Sequence, residues 1–295
     1  MASVQSKLFT IFLRLIHKKS FLGIQLATKR FQVFARNEPP AIVRKTCLVH
    51  KAQINGRNVI TLQPLNKKPT DTHILYLHGG AYIQSFNKFH WRFLSFLVKN
   101  TGCTIIVPDY PLAPSFTYKD SIEMVSAVYE QLNSTVSTNN LILMGDSAGG
   151  GLALAFAQKL VNDHRTPPSQ IILLSPWLDI TLTNPDIDDL VAIDPFLEKK
   201  SLQTAGALFA GNADPNHYLL SPVNGSLRGL QQITLIIGSK EILLPDARKL
   251  KSIAEKTGVE LNFYEYEDMV HGWMFLNFPE SKKVRRQIVD LIVQS

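Results

Sequence analysis

The 295-residue sequence predicts an α/β fold: a mostly parallel central sheet flanked by helices. From residue 73 onwards, short runs that are apolar throughout alternate with longer helical stretches. Strands that are apolar on both faces are typical of a parallel sheet covered on both sides. The 45% hydrophobic content is ample for one large core, and the length suits one α/β domain with an appendage.

Residues 1–40 predict one or two helices that end at Pro39 and Pro40. The apolar run 8–16 is interrupted by Arg14, is too short to span a membrane, and precedes no small-residue cleavage site. We therefore expect no signal peptide or membrane anchor, and a soluble, cytoplasmic protein. Cys47 and Cys103 lack the spacing of a metal site, so we expect both to be reduced and buried.

The net charge of +7 is spread unevenly along the chain. Residues 1–70 hold 13 of the 31 Lys and Arg against one acid, Glu38, so this part carries +12 and the remainder −5. No nucleic-acid motif accompanies the charge, so a nucleic-acid partner is not expected. A basic amphipathic N-terminus is compatible with contact to an anionic membrane surface, although a solvated helix face is the favoured interpretation.

The remaining elements follow in order. Strands at 42–50 and 58–63 flank an Asn55-Gly56 turn, which favours an antiparallel hairpin. The alternation then breaks between about 180 and 225, where a helix at 199–210 belongs to a candidate lid. The other predicted strands are 73–77, 104–108, 141–145, 171–175, 233–237 and 261–266, and the other helices lie near 88–100, 117–133, 147–163, 246–257 and 279–293.

A strand, a tight turn and a helix follow one another around Ser147. The turn Gly145-Asp146-Ser147-Ala148-Gly149 is typical of a nucleophile elbow, which exposes a serine hydroxyl on a strained turn. Glycines at 145 and 149 allow the two backbone limbs to approach closely. We predict that Ser147 is a nucleophile and that Asp146 bonds neighbouring amides.

A serine nucleophile needs a base to take its proton, and the base needs an acid that fixes its tautomer. His271, after the last strand, is the candidate base. Glu241 and Asp246 both follow strand 233–237. Glu241 is favoured because it lies in the short loop after the strand, whereas Asp246 also fits the N-cap of the next helix. Asp246 stays the alternative.

The segment His78-Gly79-Gly80-Ala81 directly follows strand 73–77. Residues without side chains let such a loop lie against a substrate carbonyl, so the amides of Gly79 and Gly80, with that of Ala148, are candidate oxyanion-hole donors. Several aromatic residues near the predicted strand ends are candidate walls for an apolar acyl group. They are Tyr82, Phe86, Trp177, Phe209 and Trp273.

In combination and order, these motifs resemble the α/β-hydrolases of the hormone-sensitive-lipase-like esterase group. The matching residues are His78-Gly79-Gly80-Ala81, Asp109-Tyr110-Pro111-Leu112-Ala113-Pro114, Gly145-Asp146-Ser147-Ala148-Gly149-Gly150, Ser175-Pro176-Trp177-Leu178-Asp179, Ser221-Pro222, Glu241 and His271-Gly272. The resemblance implies the α/β-hydrolase fold, with Ser147, Glu241 and His271 as catalytic residues. It also implies that residues 1–40 and about 180–215 form a helical cap on a catalytic domain of residues 41–295.

Four positions depart from the family pattern. Ala81 replaces the third glycine of the oxyanion loop, and Glu241 replaces the commoner aspartate. Pro111 and Ser115 stand where the family usually has Arg and Glu, so an ion pair that braces this loop is expected to be missing.

The predicted function is a serine carboxylesterase that acts on short- to medium-chain acyl esters, without metal or cofactor. A lactone hydrolase or an amidase would use the same residues. A non-catalytic binding module on the same fold is the alternative from another class. The expected partner is a small-molecule ester, and the sequence does not determine the oligomeric state.

Overall fold

The computed structural model describes residues 2–32 and 35–294. Its centre is an eight-stranded sheet in the order β1-β2-β4-β3-β5-β6-β7-β8, antiparallel for the pairs β1–β2 and β2–β4 and parallel elsewhere. The mostly parallel α/β architecture is as predicted. The strands are β1 (Cys47–Ile54), β2 (Arg57–Pro64), β3 (His73–Leu77), β4 (Thr104–Pro108), β5 (Leu141–Asp146), β6 (Gln170–Leu174), β7 (Gln232–Gly238) and β8 (Leu261–Tyr266).

Helices cover both faces of this sheet. They are α1 (Val4–Leu15), α2 (Phe21–Thr28), α3 (Ala41–Arg44), α4 (Lys88–Thr101), α5 (Tyr118–Asn133), α6 (Ala148–Asn162), α7 (Ile187–Val191), α8 (Lys199–Ala210), α9 (Leu244–Thr257) and α10 (Pro279–Val293). Short 3₁₀ turns lie at Lys18–Ser20, Thr138–Asn140, Pro222–Asn224 and Trp273–Phe275. None of the described helices has both the length and the apolar composition needed to cross a bilayer.

The predicted strand at 42–50 is wrong in its first half. Pro40 precedes a single helical turn, α3, and the strand begins only at Cys47. Proline is well suited to a helix start because its φ is preset and its missing N–H leaves no donor unsatisfied there. The hairpin itself is confirmed: Ile54 pairs with Arg57 across the turn. Asn55 and Gly56 both adopt positive φ, as a two-residue hairpin turn requires.

Alternate side chains of the central strand β5 point into two separate cores. Leu141 and Leu143 pack in the layer formed with α5, α6 and α9, whereas Ile142 and Met144 pack in the layer formed with α4 and α10. Because both faces are covered, every residue of β5 is buried and nearly all are apolar. Cys47 and Cys103 are buried and free, as predicted.

The N-terminal helices pack on the segment between β6 and β7. Helix α2 contacts α8, and Lys19 Nζ donates to the carbonyl of Val191, directly at the end of α7. Arg14 Nη2 donates to the carbonyl of Ile193 at 3.3 Å. Two parts of the chain that are about 170 residues apart therefore meet at the carboxyl end of the sheet.

Substitution of one buried and one exposed leucine tests how much the core around β5 contributes to the free energy of unfolding. We expect Leu143→Ala, at a position with no exposed surface in the centre of the sheet, to lower the free energy of unfolding by about 2–5 kcal/mol, because it leaves a cavity. The matched control is Leu48→Ala on β1, which is 42% exposed and is expected to cost less than about 1 kcal/mol. Urea denaturation measures both, and equal losses would contradict the two-layer core.

Candidate active site

Ser147 occupies the turn between β5 and α6 in a strained conformation, with φ 52° and ψ −122°. A non-glycine residue rarely adopts such a backbone, and it persists only where the surroundings hold it. Here the Ser147 N–H donates to the Leu174 carbonyl at 2.9 Å, and the Ser147 carbonyl accepts from the Trp177 N–H at 2.9 Å. Hydrogen bonds to the end of β6 therefore hold the serine in the elbow predicted from the sequence.

The two glycines of the elbow are required by close backbone contact. A Cβ on Gly145 would lie 2.3 Å from the Gly149 carbonyl oxygen, and a Cβ on Gly149 would lie 2.1 Å from the Leu77 carbonyl oxygen. No side chain fits at either distance. The first turn of α6 can therefore approach both β5 and β3, as the glycine pattern predicts.

His271 and Glu241 extend a hydrogen-bonded chain from Ser147. His271 Nε2 lies 3.0 Å from Ser147 Oγ, and His271 Nδ1 lies 2.6 Å from Glu241 Oε2. Glu241 follows β7, and His271 lies in the loop after β8, so the three residues meet at the carboxyl end of the sheet. The structure thus brings together the three residues that the sequence selected.

Glu241 has no exposed surface, and two further donors satisfy its carboxylate. The Gly238 N–H donates to Oε1 at 2.8 Å, and the Ser175 hydroxyl donates to the same oxygen at 2.7 Å. A buried carboxylate is tolerated only when it is hydrogen-bonded in this way. The orienting role of Ser175 was not predicted, although its place after β6 in the Ser175-Pro176 motif is a signal.

Electrostatics at His271 favour the protonated ring. Burial by itself lowers the pKa of His271, but the charge and hydrogen bond of Glu241 outweigh that effect, and the charges of Asp194 and Asp146 add to it. The net result is a pKa above the ordinary value of 6.5. The site therefore stabilises an imidazolium between the serine and the glutamate.

Asp246 lies apart from this chain of contacts. Helix α9 begins at Leu244, so Asp246 lies within its first turn and is not the predicted N-cap. Its Oδ1 accepts from Asn184 Nδ2 at 3.0 Å. Burial raises the pKa of Asp246 to about 6 against that hydrogen bond, and the charge of Asp179 raises it further. Glu241, and not Asp246, is the acid hydrogen-bonded to His271.

The loop predicted to form the oxyanion hole differs from the prediction at one donor. The Gly79 N–H donates to Asp146 Oδ1 at 2.9 Å and is therefore already engaged within the protein. Among the hydrogen bonds of residues 2–32 and 35–294, none uses the N–H of Gly80, Ala81 or Ala148. Gly80, Ala81 and Tyr82 adopt positive φ in succession. The amide of Ala81, rather than that of Gly79, is thus free beside Gly80 and Ala148.

Asp146 links the elbow to this loop more extensively than the sequence indicated. Besides Gly79, its carboxylate accepts from the Tyr76 hydroxyl, and its Oδ2 lies 3.4 Å from His90 Nε2. The Asn87 N–H donates to His90 Nδ1, so a neutral His90 carries its proton on Nε2. Burial raises the pKa of Asp146, but His90, Tyr76 and Gly79 outweigh it and the net pKa is below the ordinary value. Nothing in the local sequence marks His90 as this partner.

A second brace, also missed, holds the loop around Asp109. Arg57, at the start of β2, donates from Nε to the Asp109 carbonyl and places Nη2 3.4 Å from the Asp109 carboxylate. This residue is distant in sequence from Pro111 and Ser115, where the family pattern has its ion pair. Arg57 on another strand therefore supplies a brace that does not depend on the family's Arg and Glu at positions 111 and 115.

The predicted pocket aromatics separate into two groups. Tyr82 stacks on Phe209 with ring centroids 3.7 Å apart and on Trp177 at 5.5 Å, and all three are buried. Phe86 packs on the His78 ring. Phe86 and Trp273 are buried in the other core layer, beneath α4 and α10. Because all five rings are buried, the assignment of Trp273 as a pocket wall stays a prediction.

Phe196, which the sequence did not indicate, does contact the site. Its ring lies 5.6 Å from that of His271, and Lys18 Nζ lies 4.0 Å above the Phe196 ring. Asp194 is buried beside them and accepts from the Phe196 and Leu197 amides, while its other oxygen accepts from the Ile242 N–H at 2.9 Å. Asp194 thus ties the segment after α7 to the loop that carries Glu241.

No three His, Cys, Asp or Glu side chains are grouped as metal ligands anywhere in the described part of the chain.

Known proteins resemble this chain in sequence and in fold. A family described as the alpha/beta hydrolase fold matches residues 74–275. The chain is 32% identical to an esterase of Acinetobacter venetianus over 74% of its own length and 73% of that protein. It is also 32% identical to an acetyl-hydrolase of Streptomyces hygroscopicus, over 71% of each chain. A solved esterase of the bacterial hormone-sensitive lipase family superposes with a TM-score of 0.84 at 26% identity, covering 100% of this chain and 99% of the other.

The Glu241 contact makes a prediction for the titration of His271. Glu241→Gln removes the charge but leaves the burial, so the pKa of His271 is expected to fall. NMR titration of the imidazole measures it in the wild-type and variant proteins. Because the folded pKa is raised above 6.5, the imidazolium contributes stability fully below that pH and loses it as pH rises through the folded pKa. An unchanged pKa would contradict the assigned contact.

Proposed function

Since the chain belongs to the α/β-hydrolase fold family, among the esterases related to hormone-sensitive lipase, and is a carboxylic ester hydrolase, we propose that it cleaves short- to medium-chain esters through a serine acyl-enzyme. The observation that carries the proposal is the continuous chain of hydrogen bonds from Ser147 through His271 to the buried Glu241. A nucleophile, a base and an orienting acid stand in the contacts that acyl transfer needs.

In acylation, Ser147 Oγ attacks the ester carbonyl carbon as its proton passes to His271 Nε2. Glu241 stabilises the imidazolium through Nδ1. The tetrahedral intermediate then collapses, the bond to the alcohol oxygen breaks, and His271 returns the proton to the leaving alcohol. Water repeats the sequence on the acyl-enzyme and releases the acid. Because Glu241 favours the charged form of His271, it lowers the activation free energy of both acylation and deacylation.

The oxyanion formed in each step needs donors that are already in place. We assign this role to the amides of Gly80, Ala81 and Ala148, because these N–H groups are not engaged within the described protein. Asp146 holds the loop through Gly79, so Gly79 is a positioning residue. Loss of one such donor typically costs on the order of 3 kcal/mol of transition-state stabilisation.

The preference for short or medium acyl chains rests on the stack of Tyr82, Phe209 and Trp177. Tyr82 directly follows the oxyanion loop, and its ring stacks on those of Phe209 and Trp177. We propose that this stack forms the closed end of the acyl pocket. Residues 1–40 and about 180–215 form the cap over the site, a proposal supported by the contacts of Lys18 with Phe196 and of Phe196 with His271.

Ser147→Ala tests the nucleophile. We expect a loss of about 10⁴-fold or more in kcat, because no other group can form the acyl-enzyme. The measurement uses p-nitrophenyl esters of graded acyl length, with a lactone and an anilide included to distinguish the alternative acyl substrates. Unchanged thermal unfolding shows that the variant is folded. Full activity in the folded variant would remove Ser147 from the mechanism.

A pair of variants tests the acid. Glu241→Gln is expected to lower kcat by about 10⁴-fold, the scale of loss when the tautomer-fixing acid is removed. Asp246→Asn, the matched control in the same segment, is expected to remain within about 10-fold of the wild type because Asp246 does not bond His271. The reverse pattern would assign the acid to Asp246.

A further inference from the structure

Most of the large apolar side chains of helix α1 face away from the protein, the reverse of what is expected of a helix that only packs on a protein core. Val4, Leu8, Ile11, Phe12 and Leu15 are 50–73% exposed. We call these five residues the outer face of α1. Their spacing places them on one side of the helix. The opposite side, which packs on the protein, is formed by Ser6, Thr10 and Leu13.

This exposure is not the result of a loosely attached helix. The Ser3 side chain caps α1 by accepting from the Ser6 N–H, and its hydroxyl donates to Glu280 at 2.9 Å. The Phe9 ring packs on Phe278 with centroids 5.2 Å apart. The helix is thus held at both its start and its middle. A contiguous apolar surface held in this way marks a site of interaction.

The charge around the outer face identifies the partner. Residues 1–32 contain six Lys and Arg and no acid. Lys7 and Arg14 are exposed on α1 itself. An apolar face bordered by cations matches an anionic lipid surface, where the side chains enter the acyl boundary and the cations meet the headgroups. A second copy fits poorly, because a two-fold pairing of these faces would bring the same cations together.

We propose that the outer face of α1 docks this enzyme on anionic lipid surfaces. With 12 residues, α1 is too short to span a bilayer and would lie in its plane. Ile24 on α2 and Ile193 are further exposed apolar side chains, at 56% and 39%. Arg14 donates to the Ile193 carbonyl. Three residues further along the chain, Phe196 contacts His271. Docking therefore places the cap beside lipid. The corollary that membrane-dissolved esters are substrates rests on the proposed function.

The test is co-sedimentation of the full chain with phosphatidylcholine vesicles, with and without phosphatidylglycerol. We expect binding to the anionic vesicles that weakens as salt is raised. Leu8→Ser with Ile11→Ser should lower the partition coefficient by about 10-fold or more. The matched control, Ile42→Ser with Leu48→Ser, removes two exposed apolar side chains elsewhere and should leave binding unchanged. Thermal unfolding verifies that each variant folds.

Two double charge-reversal variants test the electrostatic part of the proposal. Lys7→Glu with Arg14→Glu should abolish the preference for anionic vesicles, whereas Lys99→Glu with Lys249→Glu, the same charge change on α4 and α9, should preserve it. No vesicle binding, or equal binding by the Leu8 and Ile11 variant, would overturn the proposal. The proposal would also be overturned if the wild type bound no vesicles but formed a dimer in light scattering, and the Leu8 and Ile11 variant abolished that dimer. Because the readout is binding, the outcome is separate from that of the esterase proposal.

Discussion

The short contact between His271 Nδ1 and Glu241 Oε2 is the interaction on which the site depends. A carboxylate without exposed surface is costly unless donors surround it, and here the donors are His271, Ser175 and the Gly238 amide. Because all three are fixed by the ends of β6, β7 and the loop after β8, the acid has one position. The imidazole orientation, and with it the contact to Ser147, follows from that position.

A second buried carboxylate organises the other half of the site. Asp146, the neighbour of Ser147, bonds Gly79 at the start of the oxyanion loop and is supported by Tyr76 and His90. The elbow and the loop therefore share one anchor, which fixes the distance between the nucleophile and the amides of Gly80 and Ala81. In the mechanism that we propose, the two carboxylates have separate roles: Glu241 orients the base and Asp146 positions the loop.

Contacts within the proposed cap connect these two features to the N-terminal helices. Asp194 accepts from the Ile242 amide beside Glu241, while Phe196 lies against His271 and beneath Lys18. Lys18, just before α2, thus contacts the site through Phe196. If the enzyme docks through α1, the lipid surface lies next to the cap. The cap residue Phe196 in turn contacts His271.

The sequence by itself determined the α/β class, the succession of strands along the chain, and the candidates Ser147 and His271, and it favoured Glu241 over Asp246 as the acid. It could do so because apolar runs, glycine spacing and the order of motifs are local signals. The contact of Glu241 with His271 in the structure separates these two carboxylates. Only the tertiary structure decided which amides are free, since the bond from Gly79 to Asp146 joins two different strand ends. The same holds for the brace from Arg57, the core position of Trp273 and the outward apolar face of α1. Each depends on which surfaces meet after folding, and a linear pattern does not specify the face that a neighbour covers.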